Sequence, residues 1–241
     1  MIASMQGPGE RTQPATVIVT GGTGGLGAAV TRRFLAASWR TVVPWYDERE
    51  LDRLDSHPLL TLSKADLFDP GSAAECAAAG AAHPAAPLTA VVNLVGGFAM
   101  GKRVHETPVE AFEEQLRLNL RPAYLTCQAA LPHLIAAGGG SIVCVSSRAA
   151  LNPFPGAAGY VTSKAAVLGL VDALAVEYRD DGIRANAVLP SVIDTPGNRA
   201  SMPNADHERW VKPEQIAEVI FGLCTGYEVV SGAHIPVYGR A

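Results

Sequence analysis

The chain carries little charge, and the charges that it has nearly balance. Only 17% of its 241 residues are charged, and the formal net charge is −4. Such a chain has no electrostatic reason to bind nucleic acid or an anionic membrane, so neither is expected as a partner. Hydrophobic residues make up 48% of the chain, which is enough for a sizeable core and excludes a disordered protein.

Sequence patterns for metal binding and for a disulfide framework are missing. The four cysteines, at positions 76, 127, 144 and 224, lie far apart without a CxxC pair, and the six histidines form no HExxH. We therefore predict no metal site. The plainer interpretation of the cysteines is reduced, buried thiols in a cytoplasmic protein.

Long apolar runs are missing as well. No run approaches the roughly 20 residues that a membrane helix needs, so no membrane span is expected. Residues 1–13 contain glycine, proline and charged residues but no apolar signal-peptide core. We interpret residues 1–14 as a flexible N-terminal tail and residues 15–241 as a single domain.

Short β-branched runs alternate with longer helical patterns along the whole chain. Strands are predicted at 16–20, 41–44, 59–62, 88–95, 141–146, 183–189 and 233–237, and helices at 26–34, 72–82, 107–137, 160–178 and from 213 onward. Alternation of this kind requires crossover connections between parallel strands. The predicted fold class is α/β, with a single doubly wound parallel sheet and helices on both faces.

The third predicted helix has a start signal and two internal prolines. Thr107 has the position of an N-cap, Pro108 that of the first turn, and Glu110 that of the residue closing a capping box. Pro122 and Pro132 are expected to break or kink this helix. Glycines at 138–140 are expected to end it.

A glycine cluster joins the first strand to the first helix. Its sequence, TGGTGGLG over residues 20–27, fits two motifs: GxGxxG through Gly22, Gly24 and Gly27, or TGxxxGxG through Thr20, Gly21, Gly25 and Gly27. Glycines at such a turn let a pyrophosphate approach the backbone and the amides of the helix N-terminus. The position of the cluster predicts dinucleotide binding, although a glycine-rich turn alone is weak evidence.

Tyr160 and Lys164 form the clearest candidate for catalysis. They are four residues apart at the start of a predicted helix, so their side chains share one face. An ammonium beside a phenol favours the phenolate, which makes a tyrosine usable as an acid and base near neutral pH. Ser147 follows the strand at 141–146, and the carboxyl ends of parallel strands border the ligand crevice. We expect these three residues beside the glycine cluster.

Together these motifs resemble the classical short-chain dehydrogenase/reductase family over about residues 16–239. TGGTGGLG looks like its cofactor loop, Asn93 with Gly96 like its NNAG segment, IVCVSS ending in Ser147 like its serine strand, and YVTSK like its YxxxK. Asn119 in LRLNL is similar to the family's catalytic asparagine. IRANAVLP, followed by Thr195, resembles the segment before the nicotinamide-binding turn, and GAHIPVYG resembles the C-terminal strand.

The resemblance implies a Rossmann-type fold and an NAD- or NADP-dependent enzyme that interconverts a carbonyl and an alcohol. Tyr160 would exchange the proton, Ser147 would hydrogen-bond the substrate oxygen, Lys164 would lower the tyrosine pKa and bind the ribose, and Asn119 would extend the proton path. The positions matching cofactor contacts are Thr20, Gly21, Gly22, Thr23, Gly25, Leu26, Gly27, Trp45, Asp66, Leu67, Asn93, Gly96, Tyr160, Lys164, Pro190, Ile193 and Thr195. Family members are commonly homotetramers.

Four positions depart from the family pattern. The NNAG segment has Leu94 and Val95 in its middle, and the PG after the sixth strand is Pro190 followed by Ser191. Trp45 occupies the position where a carboxylate would bind the adenosine ribose. Asp47 is a nearby replacement for that carboxylate, whereas Arg49 and Arg53 are candidates to bind a 2′-phosphate, so neither NAD nor NADP is favoured.

The substrate is not defined by the sequence. Candidate pocket residues are Phe98, Met100, Phe154 and Trp210, with ordinary packing an equally favoured alternative for each. The stretch 196–212 has the position of a short substrate lid. Reduction of a ketone or a 3-oxoacyl thioester competes with oxidation of a secondary alcohol. A catalytically silent dinucleotide-binding sensor is an alternative, although such a protein is expected to lack Tyr160 or Lys164. An extended epimerase or dehydratase is less favoured, because only two residues follow the last motif.

Overall fold

The burial of the strands agrees with their positions in the sheet. A computed structural model describes residues 14–240 and contains one seven-stranded parallel sheet in the order β3-β2-β1-β4-β5-β6-β7. Its strands are Thr16–Thr20, Arg40–Trp45, Leu60–Lys64, Leu88–Asn93, Gly140–Val145, Ile183–Pro190 and His234–Val237. Every residue of β1 is buried, as expected for a central strand, whereas the edge strand β3 is half-exposed. The predicted doubly wound parallel sheet is confirmed.

Two helical layers cover the sheet. The helices are α1 (Gly25–Ala36), α2 (Pro70–Ala81), α3 (Val109–Ala136), α4 (Ala158–Glu177), α5 (Pro196–Ser201) and α6 (Pro213–Thr225). Because strand residues alternate between the faces, Val17 and Val19 pack towards α1 and α6, while Ile18 packs towards α2, α3 and α4. Of the predicted N-terminal tail, residues 1–13 lie outside the described part of the chain.

The prediction for the start of α3 was wrong. The N-cap is Pro108 rather than Thr107, and no side chain caps the helix. The Thr107 hydroxyl donates instead to the carbonyl oxygens of Arg103 (3.0 Å) and Lys102 (3.2 Å), which closes a short 3-10 turn before the helix. A local turn has therefore taken the hydroxyl that the capping box would have used.

The two prolines do not break α3, which continues from Val109 to Ala136 with both Pro122 and Pro132 inside it. The helix lies between α2 and α4, and Leu125, Leu131 and Leu134 are buried. This packing offsets the backbone hydrogen bonds that the prolines remove. The predicted glycine stop is confirmed, since Gly138 and Gly139 have φ values of 81° and 122° between α3 and β5.

Helix α4 is apolar enough, and at 20 residues long enough, to pass as a membrane span by composition. It packs against α3 and β6, and Val167, Val171 and Leu174 are buried in the core. The same helix carries both Tyr160 and Lys164. Its apolar character is therefore that expected of the core helix of a folded domain.

Successive strands are added on one side of β1 up to β3 and on the other side from β4 onward, so the strand order reverses between β1 and β4. β2 and β3 continue outward from one side of β1, and β5, β6 and β7 from the other side of β4. Helices after these two strands pass to opposite faces, which opens a crevice at the carboxyl ends of the strands. The segments 20–27 and 94–108 both leave the sheet at this crevice.

Candidate active site

The glycine cluster forms a tight turn that no side chain could enter. Gly21 has a φ of 64°, and a Cβ on Gly27 would collide with the Gly21 carbonyl oxygen. A Cβ on Gly22 would lie 2.8 Å from Val43 Cγ1. The N-cap of α1 is Gly24, which has no side chain to cover the first amides of the helix. An uncovered helix N-terminus beside a glycine turn fits a pyrophosphate group.

Thr20 and Asn93 connect the ends of the two central strands. The Thr20 hydroxyl accepts a hydrogen bond from Leu94 N (3.2 Å) and lies 3.5 Å from Asn93 Oδ1. Asn93 Nδ2 points into the core, 3.3 Å from Cys127 Sγ and 3.5 Å from Cys144 Sγ. The Asn93 side chain is therefore fully engaged inside the protein, which leaves its backbone as the part available to a ligand.

Gly96 lies against two of the predicted catalytic side chains. A Cβ at this position would be 2.5 Å from Asn119 Oδ1 and 3.1 Å from Lys164 Nζ. Asn119 Oδ1 accepts from Gly97 N (3.0 Å), and Asn119 Nδ2 donates to the Gln115 carbonyl (3.1 Å). Asn119 therefore holds the segment after β4 in place, and glycine at 96 leaves room for the lysine beside it.

Lys164 is buried with a polar partner at its tip. The residue is 6% exposed, and Nζ donates to the Val145 carbonyl at 3.1 Å. Burial lowers the pKa of Lys164 to about 8, because an ammonium loses hydration in the protein interior. Its protonation therefore changes close to neutral pH.

Tyr160 and Ser147 are hydrogen-bonded to each other. Burial raises the pKa of Tyr160, and the hydrogen bond with Ser147 opposes that rise. Lys164 Nζ donates to the Val145 carbonyl, so burial and Ser147 are the influences on this pKa in this structure. Ser147 also accepts from Ala149 N (3.2 Å), which makes it the N-cap of the turn Arg148–Ala150 and fixes its position after β5.

The residues after β2 pair mainly with one another. The Arg49 guanidinium forms an ion pair of 2.6 Å with Asp47 and holds the pKa of that carboxyl at about 2. Arg53 Nη1 donates to the Thr23 carbonyl (3.1 Å) and to Glu50 (2.9 Å). Asp47 and both arginines, which were candidates for the adenosine ribose or its phosphate, therefore already have polar partners.

Glu50 is a residue of this region that the sequence patterns did not single out. Its carboxylate accepts a hydrogen bond of 2.7 Å from the Thr23 hydroxyl in the glycine turn. The two residues are 27 positions apart, so no local spacing indicates the contact. The only sequence signal is the possible pair of Glu50 with Arg53 three residues later. Glu50 thus places a carboxylate at the glycine turn, although Trp45 has replaced the acid at the end of β2.

The remaining predicted cofactor positions lie at or after the ends of β3 and β6. Asp66 Oδ1 accepts from Phe68 N (2.9 Å) in a turn that follows β3, and Leu67 is buried. Thr195 is the N-cap of α5, and Ile193 pairs in a short bridge with Val211. Pro190 ends β6. The segment after β6 therefore reaches across towards the glycine turn.

The candidate pocket residues divide into two groups. Phe98, Met100 and Phe154 are exposed. Met100 lines a cavity of about 550 Å³ that adjoins Tyr160 at the start of α4, whereas Phe98 contacts the Tyr160 ring outside that wall and Phe154 lies next to Phe98. Trp210 is only 8% exposed and packs on His207 with ring centroids 4.4 Å apart. For Trp210 the structure therefore supports the alternative of ordinary packing, because its side chain is buried.

The four cysteines, all in the described part of the chain, are buried and form no disulfide, as predicted. Over residues 14–240, no group of three or more histidine, cysteine, aspartate or glutamate residues could hold a metal ion.

Comparison with known proteins agrees with this arrangement. Residues 15–206 match the family model described as short chain dehydrogenase. The chain belongs to the short-chain dehydrogenase family. This membership and its dehydrogenase relatives support a general oxidoreductase role.

Two curated relatives cover most of the chain. One is 2-(R)-hydroxypropyl-CoM dehydrogenase of Xanthobacter autotrophicus, which is 37% identical over 187 residues and 74% of each chain. Another is the probable galactose dehydrogenase GalD of Rhizobium meliloti, which is 34% identical over 86% of this chain and 85% of that protein. A solved short-chain type dehydrogenase/reductase from Mycobacterium ulcerans has a TM-score of 0.86 over 94% of this chain and 89% of its own, at 24% identity. That structure supports the fold alone.

Proposed function

We propose that this short-chain dehydrogenase interconverts a carbonyl and a secondary alcohol with a nicotinamide dinucleotide, using Tyr160 as the acid and base. The observation that carries the proposal is the grouping of Tyr160, Ser147, Lys164 and Asn119 around the ends of β4 and β5. The glycine turn that fits a pyrophosphate lies at the same edge of the sheet. No other part of the described chain combines an acid–base pair with a phosphate-binding turn.

The residues present fit NAD or NADP. The turn at Gly21, Gly25 and Gly27 and the amides of α1 would hold the pyrophosphate, and the segment after β6 with Thr195 would border the nicotinamide. When bound, the cofactor supplies or accepts the hydride. Glu50 accepts hydrogen bonds from Thr23 and Arg53 and so supports the glycine turn. The choice between NAD and NADP is left to measurement.

The protein contributes the proton and its path. In reduction, the Tyr160 hydroxyl gives its proton to the developing alkoxide, and Ser147 donates a hydrogen bond to the same oxygen. Tyr160 is left as a phenolate, which the ammonium of Lys164 stabilises and reprotonates. Since the pKa of Lys164 is about 8, the lysine can exchange a proton near neutral pH. Asn119 is a positioning residue that holds the segment after β4 beside the lysine.

A panel of carbonyl compounds and alcohols tests this function, with NADH and NADPH absorbance as the measurement. The panel includes galactose, 2-butanone, a 3-oxoacyl thioester and acetophenone with the matching alcohols. Turnover that depends on Tyr160 is expected with at least one of them. Cofactor binding without turnover of any member would favour a catalytically silent sensor. We further propose a cytoplasmic homotetramer that acts on a small molecule and binds neither nucleic acid nor membrane.

A further inference from the structure

Three large apolar side chains are exposed around Tyr160. Phe98 and Met100 are each 58% exposed, and Phe154 is 40% exposed. The Phe98 ring lies at 90° to the Tyr160 ring with centroids 4.9 Å apart, and the Phe154 ring is 6.3 Å from Phe98. Single exposed apolar residues are ordinary, but a cluster of them beside an acid–base residue marks a place for a ligand.

The loops that carry these rings are joined by their backbones. Gly101 N donates to the Gly156 carbonyl at 2.8 Å. Gly156 has a φ of 79°, and a Cβ on it would lie 2.5 Å from the Gly101 oxygen. The close approach therefore requires glycine at 156. This backbone contact holds the loops of Phe98 and Phe154 together before any substrate binds.

The cavity of about 550 Å³ that adjoins Tyr160 offers few free hydrogen-bonding side chains; the clearest is Gln115, whose buried Oε1 has no hydrogen-bond partner among the described residues. Its wall is mostly backbone and apolar side chains, including Met100, Val104, Val109 and Phe112. The Thr107 hydroxyl in the wall already donates to two backbone carbonyls. Buried hydroxyls without partners are costly, so this wall disfavours a sugar.

Charge in the wall does not favour an anionic substrate either. Its charged members are one lysine and one glutamate, Lys102 and Glu106, and both are exposed. Their charges offset each other, whereas a strongly anionic substrate group calls for a cluster of basic side chains.

We propose that Phe98 and Phe154, which lie beside the wall of this cavity rather than in it, select substrates that carry an aromatic ring directly on the reacting carbon. The substrates would then be aryl ketones or aldehydes and their alcohols. The proposal rests on the function proposed above and adds the substrate class. A ring beside the carbonyl completes an edge-to-face or offset contact with Phe98, worth about two- to twelve-fold in affinity for each such pair.

Steady-state kinetics with matched substrates tests this selectivity. Acetophenone and 2-butanone are assayed in reduction with NADH and NADPH, and 1-phenylethanol, 2-butanol and galactose in oxidation with the oxidised forms. We expect kcat/KM for acetophenone to exceed that for 2-butanone about ten-fold or more, and kcat/KM for 1-phenylethanol to exceed those for 2-butanol and galactose. Phe98→Leu and Phe154→Leu keep the apolar volume but remove the ring. Each is expected to lower the ratio of acetophenone to 2-butanone at least about five-fold.

The ratio separates selectivity from damage to Tyr160, because a displaced tyrosine slows both ketones alike. Tyr227→Leu is the matched control, since Tyr227 is 54% exposed and packs beside Gly222 on α6. It should leave the ratio unchanged. Equal turnover of the two ketones, faster oxidation of galactose than of 1-phenylethanol, or an unchanged ratio in both phenylalanine variants overturns the substrate class while the oxidoreductase function stands.

A binding measurement distinguishes a protein without enzymatic activity from one that does not bind aromatic ligands at this site. Saturation-transfer NMR with acetophenone is performed on Tyr160→Phe and on Tyr160→Phe with Phe98→Leu. Binding that weakens at least about five-fold when Phe98 is changed supports the aromatic site, even if no substrate is turned over. Absence of binding, or binding independent of Phe98, overturns it.

Discussion

Thr195 lies directly over Gly25: a Cβ on the glycine would be 2.9 Å from Thr195 Cγ2. The segment after β6 thus closes over the start of α1, where the pyrophosphate is proposed to bind. We expect Gly25→Val to push Thr195 away and fill the phosphate position. Affinity for NADH and NADPH should fall at least about ten-fold, measured by calorimetry.

Gly169→Val is the control for this change. Gly169 also lies in a helix, but nothing is within 4 Å of where its Cβ would be. This variant should bind the cofactor as the wild type does. Unchanged binding by a folded Gly25→Val protein would show that the pyrophosphate lies elsewhere.

The buried Lys164 predicts a pH-dependent effect on stability. Its folded-state pKa of about 8 lies below the ordinary value of 10.5, so the unfolded chain holds more protons between these pH values. Burying the charged lysine therefore lowers the free energy of unfolding by its full amount below pH 8, and this loss shrinks to zero as the pH rises to 10.5. Lys164→Met should raise the free energy of unfolding by about 1–3 kcal/mol at pH 7, with a smaller gain at pH 10.

Urea denaturation of the wild type and the variant at both pH values measures this difference. The comparison is needed because burial raises the pKa of Cys76 to about 12, and that thiol makes stability fall above pH 9 in both proteins. Lys102 is exposed, so Lys102→Met should show no such trend. A Lys164→Met variant that is less stable than the wild type at pH 7 would contradict the predicted cost of burying the ammonium.

Ser38 holds an unusual backbone conformation at the end of α1. It is the only non-glycine residue in the described chain with a positive φ, at 60°. Ser38 N bonds to the Leu35 carbonyl and Trp39 N to the Phe34 carbonyl, while the Phe34 and Trp39 rings meet edge to face at 5.3 Å. This is the arrangement in which helices usually place glycine.

We therefore expect Ser38→Gly to stabilise the protein by about 0.5–1 kcal/mol, because glycine avoids the steric cost of the left-handed region. The side chain is exposed and takes no part in the proposed chemistry. Ser38→Ala keeps the Cβ and should bring no gain. Thermal unfolding of the three proteins measures the effect, and a less stable glycine variant would contradict it.

The sequence predicted those features that depend on local patterns. The buried run of β1, the turn at 20–27 and the Tyr160–Lys164 spacing each follow from residues close together in the chain. The contact of Thr23 with Glu50 does not, since it depends on how α1 and the turn after β2 pack. The local capping pattern predicted the wrong N-cap at Thr107, because the hydroxyl donates to a carbonyl of the preceding turn instead. The local rule for proline was also wrong at Pro122, where packing between two helices outweighed the missing hydrogen bond.

Trp210 shows why a pocket cannot be assigned from residue type. A large aromatic residue in the segment 196–212 was a reasonable candidate for substrate contact. In the structure it packs on His207, next to the Val211 that pairs with Ile193. Exposure separates it from Phe98 and Phe154, and exposure depends on long-range packing that a single sequence does not contain.

The homotetramer proposed above would pack through a groove between α3 and α4, whose wall also includes Arg117 and Arg121. Leu116, Leu120 and Leu170 line the groove, and the neighbouring Tyr124 is 50% exposed. Light scattering at micromolar concentration should give about 100 kDa, four times the 25.1 kDa chain. Leu170→Glu should lower that mass, whereas Val229→Glu, at a residue 97% exposed, should not. A mass near one chain for the wild type would contradict the tetramer.

Tyr160→Phe is the variant on which the proposed mechanism depends. It removes only the hydroxyl, so the ring can still pack against Phe98, and the glycine turn and Lys164 remain. Cofactor affinity should therefore change little, while kcat should fall by about 10²–10⁴-fold, as expected for loss of a general acid. Lys164→Ala should differ, because it removes both the proton partner of the phenolate and a proposed ribose contact. It should lower kcat and weaken cofactor binding together. Turnover and calorimetric binding, measured on both variants with a substrate that the panel has identified, separate the two roles. If Tyr160→Phe keeps more than about a tenth of wild-type kcat, the acid is another group, and the hydrogen bond between Tyr160 and Ser147 serves only to shape the crevice.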